Sequence, residues 1–419
     1  MNDSRQWSRL DNAAKIFPPT TTIRDSKVFR AVCELYEEVD GDVLQRALDK
    51  TMILFPHYSS ILKKGLFWFY FEKSTLKPIV QKEEKPPCRP IYDGDKKGLL
   101  FNITYYKCRI NLEIYHALSD GTGAFQFMKA LVSYYIDEKY EQGGESNGHT
   151  VDDDASDWQR NNDSFSKYYK KSPKPKEKEE AAYQQRGEIF PEFRVGVIEG
   201  LMSVNEIRNL SATYNATVSE YLTAVLIMAI HDGMSYSDEK KPVVISVPVN
   251  LRRFFPSESA RNYFGLINIA HNFRTQGGFF DDILESVKKS YHEQLKPEAI
   301  AAKTNALVTI EQNLLTKIIP LIIKIPSLRF ANLRKARCMT MTFSNVGKIV
   351  MHERFSKYIR LFDLFNRSKK NQICVCSYLD KMVINFASPF INSDVQRCFF
   401  RELAQHDIRI EVTTNLYEV

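Results

Sequence analysis

The chain has 419 residues with 58 Lys and Arg against 51 Asp and Glu, a formal charge of +7, and a hydrophobic share of 43%. That share supports a sizeable core and excludes global disorder, while seven cysteines in a chain this long exclude a small disulfide-stapled scaffold. The charge excess is modest and dispersed, so no nucleic-acid footprint is read. Length alone suggests two domains. The odd number and scatter of Cys33, Cys88, Cys108, Cys338, Cys374, Cys376 and Cys398 suit reduced thiols. Met1–Lys15 is polar and lacks the apolar region of a signal peptide, and no run of about 18 apolar residues occurs. The expectation is a cytoplasmic globular protein.

In chain order, Val28–Val39 predicts a strand. Asp40–Leu54 predicts a helix with Val43, Leu44, Ala47, Leu48 and Met52 on one stripe, stopped by Pro56. Leu66–Glu72 and Leu99–Ala117 read as strands. A charged crossover follows at 141–188, with Asp152–Asp154 acidic and lysines from Lys170 to Lys176. It has too few apolar residues to offset its chain entropy. Glu177, Glu179 and Glu180 cancel its lysines, so it reads as a solvated linker. It separates an N-terminal half, 1–165, from a C-terminal half, 189–419.

In the second half, Phe193–Val204 reads as a strand, Asn205–Asn215 and Val218–His231 as helices, and Val243–Val249 as a strand. Phe279–Leu295 and Glu298–Ile319 read as helices, Ile373–Tyr378 and Lys381–Ala387 as a hairpin, and Asp394–Gln405 as a closing helix. Strands and helices mix without regular alternation, which predicts an α/β (mixed α+β) fold of two sandwiches with mixed sheets. Ile318–Pro326 is apolar but broken by Pro320, Lys324 and Pro326, with Arg329, Arg334, Lys335 and Arg337 following. A buried or lid-forming helix pair is the preferred reading over contact with a membrane surface.

The stretch Ile110–Gly123 carries the chemistry. Alternation along a strand puts Ile110, Leu112, Ile114 and His116 on one face and Asn111, Glu113 and Tyr115 on the other. His116 is therefore aimed inward at a strand end. Ser119, Asp120 and Gly121 then form a turn into an apolar helix containing Phe125, Phe127, Met128, Leu131, Val132 and Tyr135. Spacing alone admits two readings: a buried general base with an ordering aspartate, or a hydrogen-bonded core histidine followed by an N-capping aspartate.

His116-Ala117-Leu118-Ser119-Asp120-Gly121 resembles the HxxxDG signature of the CoA-dependent acyltransferase superfamily. That superfamily includes chloramphenicol acetyltransferases, BAHD-type plant acyltransferases, alcohol acetyltransferases and the condensation domains of peptide synthetases. Val39–Leu48, Phe55–Tyr58, Ser246–Arg252 and Thr342–Gly347 resemble further segments of the family, and the likeness is greatest to the alcohol acetyltransferase-like branch. Tyr115 departs from the condensation-domain pattern, which has a first histidine there. The resemblance implies two chloramphenicol-acetyltransferase-like halves with a channel between them, and His116 as general base. It also implies an ion pair for Asp120, with Arg252 as the candidate partner, and an oxyanion donor from Gly121, Ser344 or Asn345. Acyl-CoA would enter as a cosubstrate, with no tightly bound cofactor or metal, and the acceptor would be a small alcohol or amine. The expected protein is a monomer. A carrier-protein thioester in place of CoA, and a non-catalytic binding protein keeping the fold, stay open as alternatives.

Other constellations are set aside. There is no C-x-x-C, and His292-Glu293 and His352-Glu353 lack the second histidine of a zinc helix. Gly121-Thr122-Gly123 continues to Gln126 where a dinucleotide loop needs glycine, no P-loop is present, and Gly233–Ser237 lacks the last glycine of a nucleophile elbow. Cys374 and Cys376 share a strand face and read as packing. His57, His149, His231, His271, His292 and His406 read as ordinary.

Overall fold

The computed structural model describes residues 7–94, 96–140, 180–191, 194–255, 261–312 and 318–416. Most of the expected crossover, with His149, lies outside them. The first half contains β1 (Trp7–Arg9), α1 (Phe17–Thr20), β2 (Val28–Leu35), α2 (Gly41–Leu54), β3 (Ser60–Lys64), β4 (Phe69–Lys73), β5 (Gln81–Lys82), β6 (Phe101–Tyr106), β7 (Arg109–Tyr115) and α3 (Gly121–Tyr140). The second contains β8 (Gly196–Ser203), α4 (Val204–Thr213), α5 (Val218–His231), β9 (Val243–Asn250), β10 (Phe264–His271), α6 (Phe273–Gln276), α7 (Phe280–Gln294) and α8 (Pro297–Gln312). It closes with α9 (Leu321–Arg337), β11 (Met341–Lys348), β12 (Ile359–Asn366), β13 (Gln372–Tyr378), β14 (Lys381–Ser388), α10 (Asp394–Ala404) and β15 (Glu411–Thr414).

Local chemistry explains the better-marked elements. The Asp40 side chain accepts from the Asp42 and Val43 N–H groups and starts α2, and Thr217 with Glu220 forms a capping box on α5. Lys107, at φ 49°, turns β6 into β7. The strand expected over Leu66–Glu72 is the second arm of a hairpin, β3–β4, whose turn closes with Gly65 N–H on the Trp68 carbonyl.

Two large sheets carry the fold. One has the order β12-β2-β7-β6-β5, the other β10-β9-β11-β13-β14-β8-β15, and β1, β4 and β3 make a small third. Both large sheets are mixed, since β11 runs parallel to β9 and β13 while the other pairs of the larger sheet are antiparallel, and β5 is parallel to β6. The larger sheet carries α5, α7 and α10 on its second core, and the smaller one carries α2 and α3 on the first. The halves of the sequence do not coincide with the sheets at one strand: β12, from the second half, pairs with β2 and completes the first-half sheet.

Strand β7 is buried on both faces, since Asn111, Glu113 and Tyr115, opposite the apolar side, are buried as well. Arg30 makes this tolerable: its Nη2 lies 2.7 Å from Glu113 and 2.6 Å from Glu83, so the buried carboxylate is paired. The segment expected as a helix pair broken by prolines is the single helix α9, with Pro320 as N-cap and Pro326 inside it. Pro326 removes one backbone hydrogen bond, yet its ring lies on the exposed side, where no packed neighbour is displaced.

Candidate active site

The HxxxDG turn joins β7, the central strand flanked by β2 and β6, to α3. Both strand neighbours hold β7 to its end, and the His116 N–H donates to the Lys27 carbonyl at 2.7 Å. Tyr115 and Ala117 are buried, but the His116 ring is partly exposed. Phe17 stacks on the ring at 4.4 Å and Phe29 meets it edge-on at 5.1 Å. These apolar neighbours strip water from the imidazole, so burial lowers its pKa from the ordinary value and the ring is neutral at pH 7. Tyr115 points the other way, with its hydroxyl 2.7 Å from Thr21 Oγ1.

His116 Nδ1 lies 3.0 Å from Asn262 Oδ1. The hydrogen-bond network fixes which way round this works. The Asn262 amide nitrogen faces two acceptors, Asp11 Oδ2 at 3.3 Å and the Ala117 carbonyl at 3.4 Å, so its oxygen faces the ring. Nδ1 must then carry the proton and donate, which leaves the Nε2 lone pair available. Nε2 makes no hydrogen bond among the described residues. Nothing in the local sequence Arg261-Asn262-Tyr263 marks this contact, which joins residues 146 apart.

Asp120 turns away from the ring. Its Oδ1 accepts from Gly123 N–H at 2.9 Å and so caps α3, while Oδ2 accepts from Arg252 Nη1 and from Tyr263 N–H, each at 2.9 Å. Arg252 Nη2 donates to the Arg261 carbonyl at 2.6 Å. Asp120 and Arg252 therefore grip the backbone on both sides of Asn262, and Asn262 in turn orients His116. The ion pair is buried, with side-chain exposures of 11% for Arg252 and 7% for Asp120, so it holds its geometry only while both partners are present.

The remaining residues singled out from the sequence divide between two faces of β11. Ser344 pairs with Cys374, whose side chain lies in the first core, so Ser344 faces the smaller sheet. Asn345 pairs with Val375 of the second core and faces the other way, its amide on Ser219 Oγ at 3.0 Å and its oxygen accepting from Gly347 N–H at 2.9 Å. Gly121 opens α3 against both sheets: a Cβ there would lie 3.8 Å from Leu364 Cδ2 and 3.9 Å from Val346 Cγ2. On the Asn345 face is a cavity of about 440 Å³ bordered by Arg208, Lys348, Asn205, Asn345 and Ser377. No group of three or more His, Cys, Asp or Glu suited to a metal occurs among the described residues. Cys374 and Cys376 are buried free thiols, and Cys376 Sγ lies 3.1 Å from the Phe362 carbonyl.

The arrangement offers an unprotonated nitrogen beside a helix N-terminus, held by a neutral amide.

No family model matches the sequence, and no curated protein does. Solved structures do match along nearly the whole chain. TRI101 of F. graminearum, complexed with coenzyme A and T-2 mycotoxin, is similar at a TM-score of 0.64 and 11% identity over 96% of this chain and 99% of that one. The trichothecene 15-O-acetyltransferase TRI3 of Fusarium sporotrichioides is similar at 0.61 and 11% identity, over 96% and 94% of the two chains. The first condensation domain of the calcium-dependent antibiotic synthetase is similar at 0.60 and 13% identity, over 98% and 100%. The chain has the fold that these acetyltransferase and condensation-domain structures share.

Proposed function

We propose that the protein is an acyltransferase that moves an acyl group, acetyl or short-chain, from a CoA thioester to the hydroxyl or amine of a small acceptor. The observation that carries this reading is the contact of His116 Nδ1 with Asn262 Oδ1 at 3.0 Å, with the Asn262 nitrogen facing two acceptors, which assigns the proton to Nδ1 and leaves Nε2 as the base. Nε2 takes the proton of the acceptor as its oxygen or nitrogen forms a bond to the thioester carbonyl carbon. The tetrahedral oxyanion collapses, the C–S bond breaks, and the leaving thiolate takes the proton back from the imidazolium. General-base help of this kind typically contributes about 10²–10⁴ in rate.

The Gly121 N–H, at the positive end of a 20-residue helix, and the Ser344 hydroxyl are assigned as the oxyanion donors, each such donor typically worth roughly 2.7–4 kcal/mol. Asn345 is engaged with Ser219, so its role is to shape the cavity wall. Arg208 and Lys348 outnumber the one carboxylate of that cavity's lining, Asp380, which supports an anionic, phosphate-bearing donor there. Arg252 acts as a positioning residue. The likeness to structures crystallised with coenzyme A supports CoA as the donor.

The test is free-thiol release from a panel of acyl-CoAs, with and without alcohols and amines. Acceptor-dependent release that is lost in His116→Ala supports the reading. Release only from a carrier-bound thioester, or none from any donor, overturns it.

A further inference from the structure

Helix α9 is apolar on two sides. At about 100° per residue, Leu321, Ile325 and Leu328 share an inward stripe, while Ile322, Ile323, Pro326, Phe330 and Leu333 fall within an outward arc about 100° wide. That outward arc is bare: Ile322 is 71% exposed, Ile323 59%, Phe330 63% and Leu333 54%. It continues onto the β3–β4 turn, where Leu66 and Phe67 are also exposed. Their carbonyls accept from Leu321 N–H at 2.8 Å and from Lys324 Nζ at 3.0 Å, which fixes the turn beside the first turn of the helix.

Charge supplies a second, independent observation. No Asp or Glu occurs between Glu311 and Glu353, a stretch that carries seven Lys and Arg. On the helical wheel Arg329 and Arg334 border the apolar arc on either side, and Arg337 closes its C-terminal end. None of the three pairs with a carboxylate among the described residues.

An occupant must therefore be apolar at its centre and anionic at its rim. A second copy does not meet this: a two-fold contact would set the same basic border against itself. A bilayer with anionic headgroups does, its acyl chains receiving the arc and its headgroups the arginines. No helix among the described residues is long and apolar enough to cross a membrane, so the contact is one of lying on the surface. We infer that α9, with the β3–β4 turn, is a docking surface for anionic membranes. It also places the candidate active site near the bilayer. Arg329 Nε donates to the Pro19 carbonyl at 2.8 Å, and Pro19 belongs to α1, whose Phe17 stacks on His116.

The experiment is co-sedimentation of the full chain with vesicles of phosphatidylcholine alone or mixed with phosphatidylserine, with the oligomeric state measured in parallel. Binding is read without turnover, so the result stands apart from the acyl-transfer reading. The expected result is binding to the mixed vesicles, weakened by salt and lost by about tenfold or more in Ile322→Asp/Phe330→Asp. Arg334→Ala/Arg337→Ala should bind less and respond less to salt. Ile322→Ser/Phe330→Ser, a milder change at exposed positions, guards against misfolding and should show the same direction. Absence of binding by the unaltered chain, or binding by the Asp and Ser variants as strong as that of the unaltered chain, overturns the inference. So does a dimer that the apolar substitutions dissociate, which would assign the arc to a second copy.

Discussion

His116 and His271 look alike by the usual signs of a functional histidine. Both sit among aromatic rings, and burial lowers the pKa of both. They differ in what their nitrogens do. In His271, Nδ1 is 2.7 Å from Ser286 Oγ and Nε2 donates to the Gly277 carbonyl at 3.0 Å, so the ring is fully used as a cross-link at the end of β10. In His116 the one side-chain partner seen among the described residues is Asn262, on Nδ1, and the residue is half-buried. Desolvation sets the protonation state in both; a spare, accessible nitrogen separates a base from a structural strut.

The largest expected effect tests that contrast directly. His116→Ala should lower acyl-transfer turnover at least about a hundredfold with an unchanged melting temperature, since it removes the only proton acceptor assigned to the reaction. His271→Ala should do the reverse, lowering thermal stability while kcat per folded molecule holds, because it leaves a cavity at a fully buried ring and removes both of that ring's hydrogen bonds. If both variants shift the same observable, the contrast fails.

Next in size is Asp120→Ala. Removing one partner of a buried ion pair typically costs about 3–5 kcal/mol, and here it also releases the backbone around Asn262. Denaturant unfolding and turnover should both fall, and Asp120→Asn should restore part of the stability by keeping two of the acceptor contacts.

Asn262 gives a finer test through pH. Burial depresses the His116 pKa, so the neutral base persists as pH falls through the ordinary value of about 6.5, and the acid limb of kcat/KM should lie below it. In Asn262→Asp a carboxylate would face Nδ1–H and favour the imidazolium, so the limb should move up. Asn262→Leu should lower kcat with little change in KM. A limb that does not move in Asn262→Asp would sever the link between this amide and the base.

The smallest effect belongs to His271. Its folded pKa is depressed, so the unfolded chain binds the proton first as pH falls. Stability is then full above about 6.5 and declines below it, toward the folded pKa. His271→Gln should flatten part of that decline in melting temperature between neutral pH and the acid limb.

Legibility followed locality. The helix α2 was visible because Asp40, the 3–4 spacing of Val43, Leu44, Ala47 and Leu48, and Pro56 lie within one stretch of chain. The strand character of Leu99–Ala117 and the turn into α3 were visible for the same reason, but not the Lys107 turn that divides the stretch into β6 and β7. The strands β10 and β12 were missed: β10 is an edge strand with only partial alternation, and β12 pairs with β2, more than 300 residues away. The burial of the polar face of β7 was not legible, because Glu113 is paired with Arg30, a partner that no spacing rule connects to it.

By itself the sequence determined the mixed α/β class, the place of His116 at a strand end and the turn that follows, since hydrophobic period and turn chemistry act over a few residues. Only the tertiary structure decided which nitrogen of that ring is free, because the deciding amide comes from the other half of the chain. It also decided that α9 turns a second apolar side outward, since which side is covered depends on what packs against it.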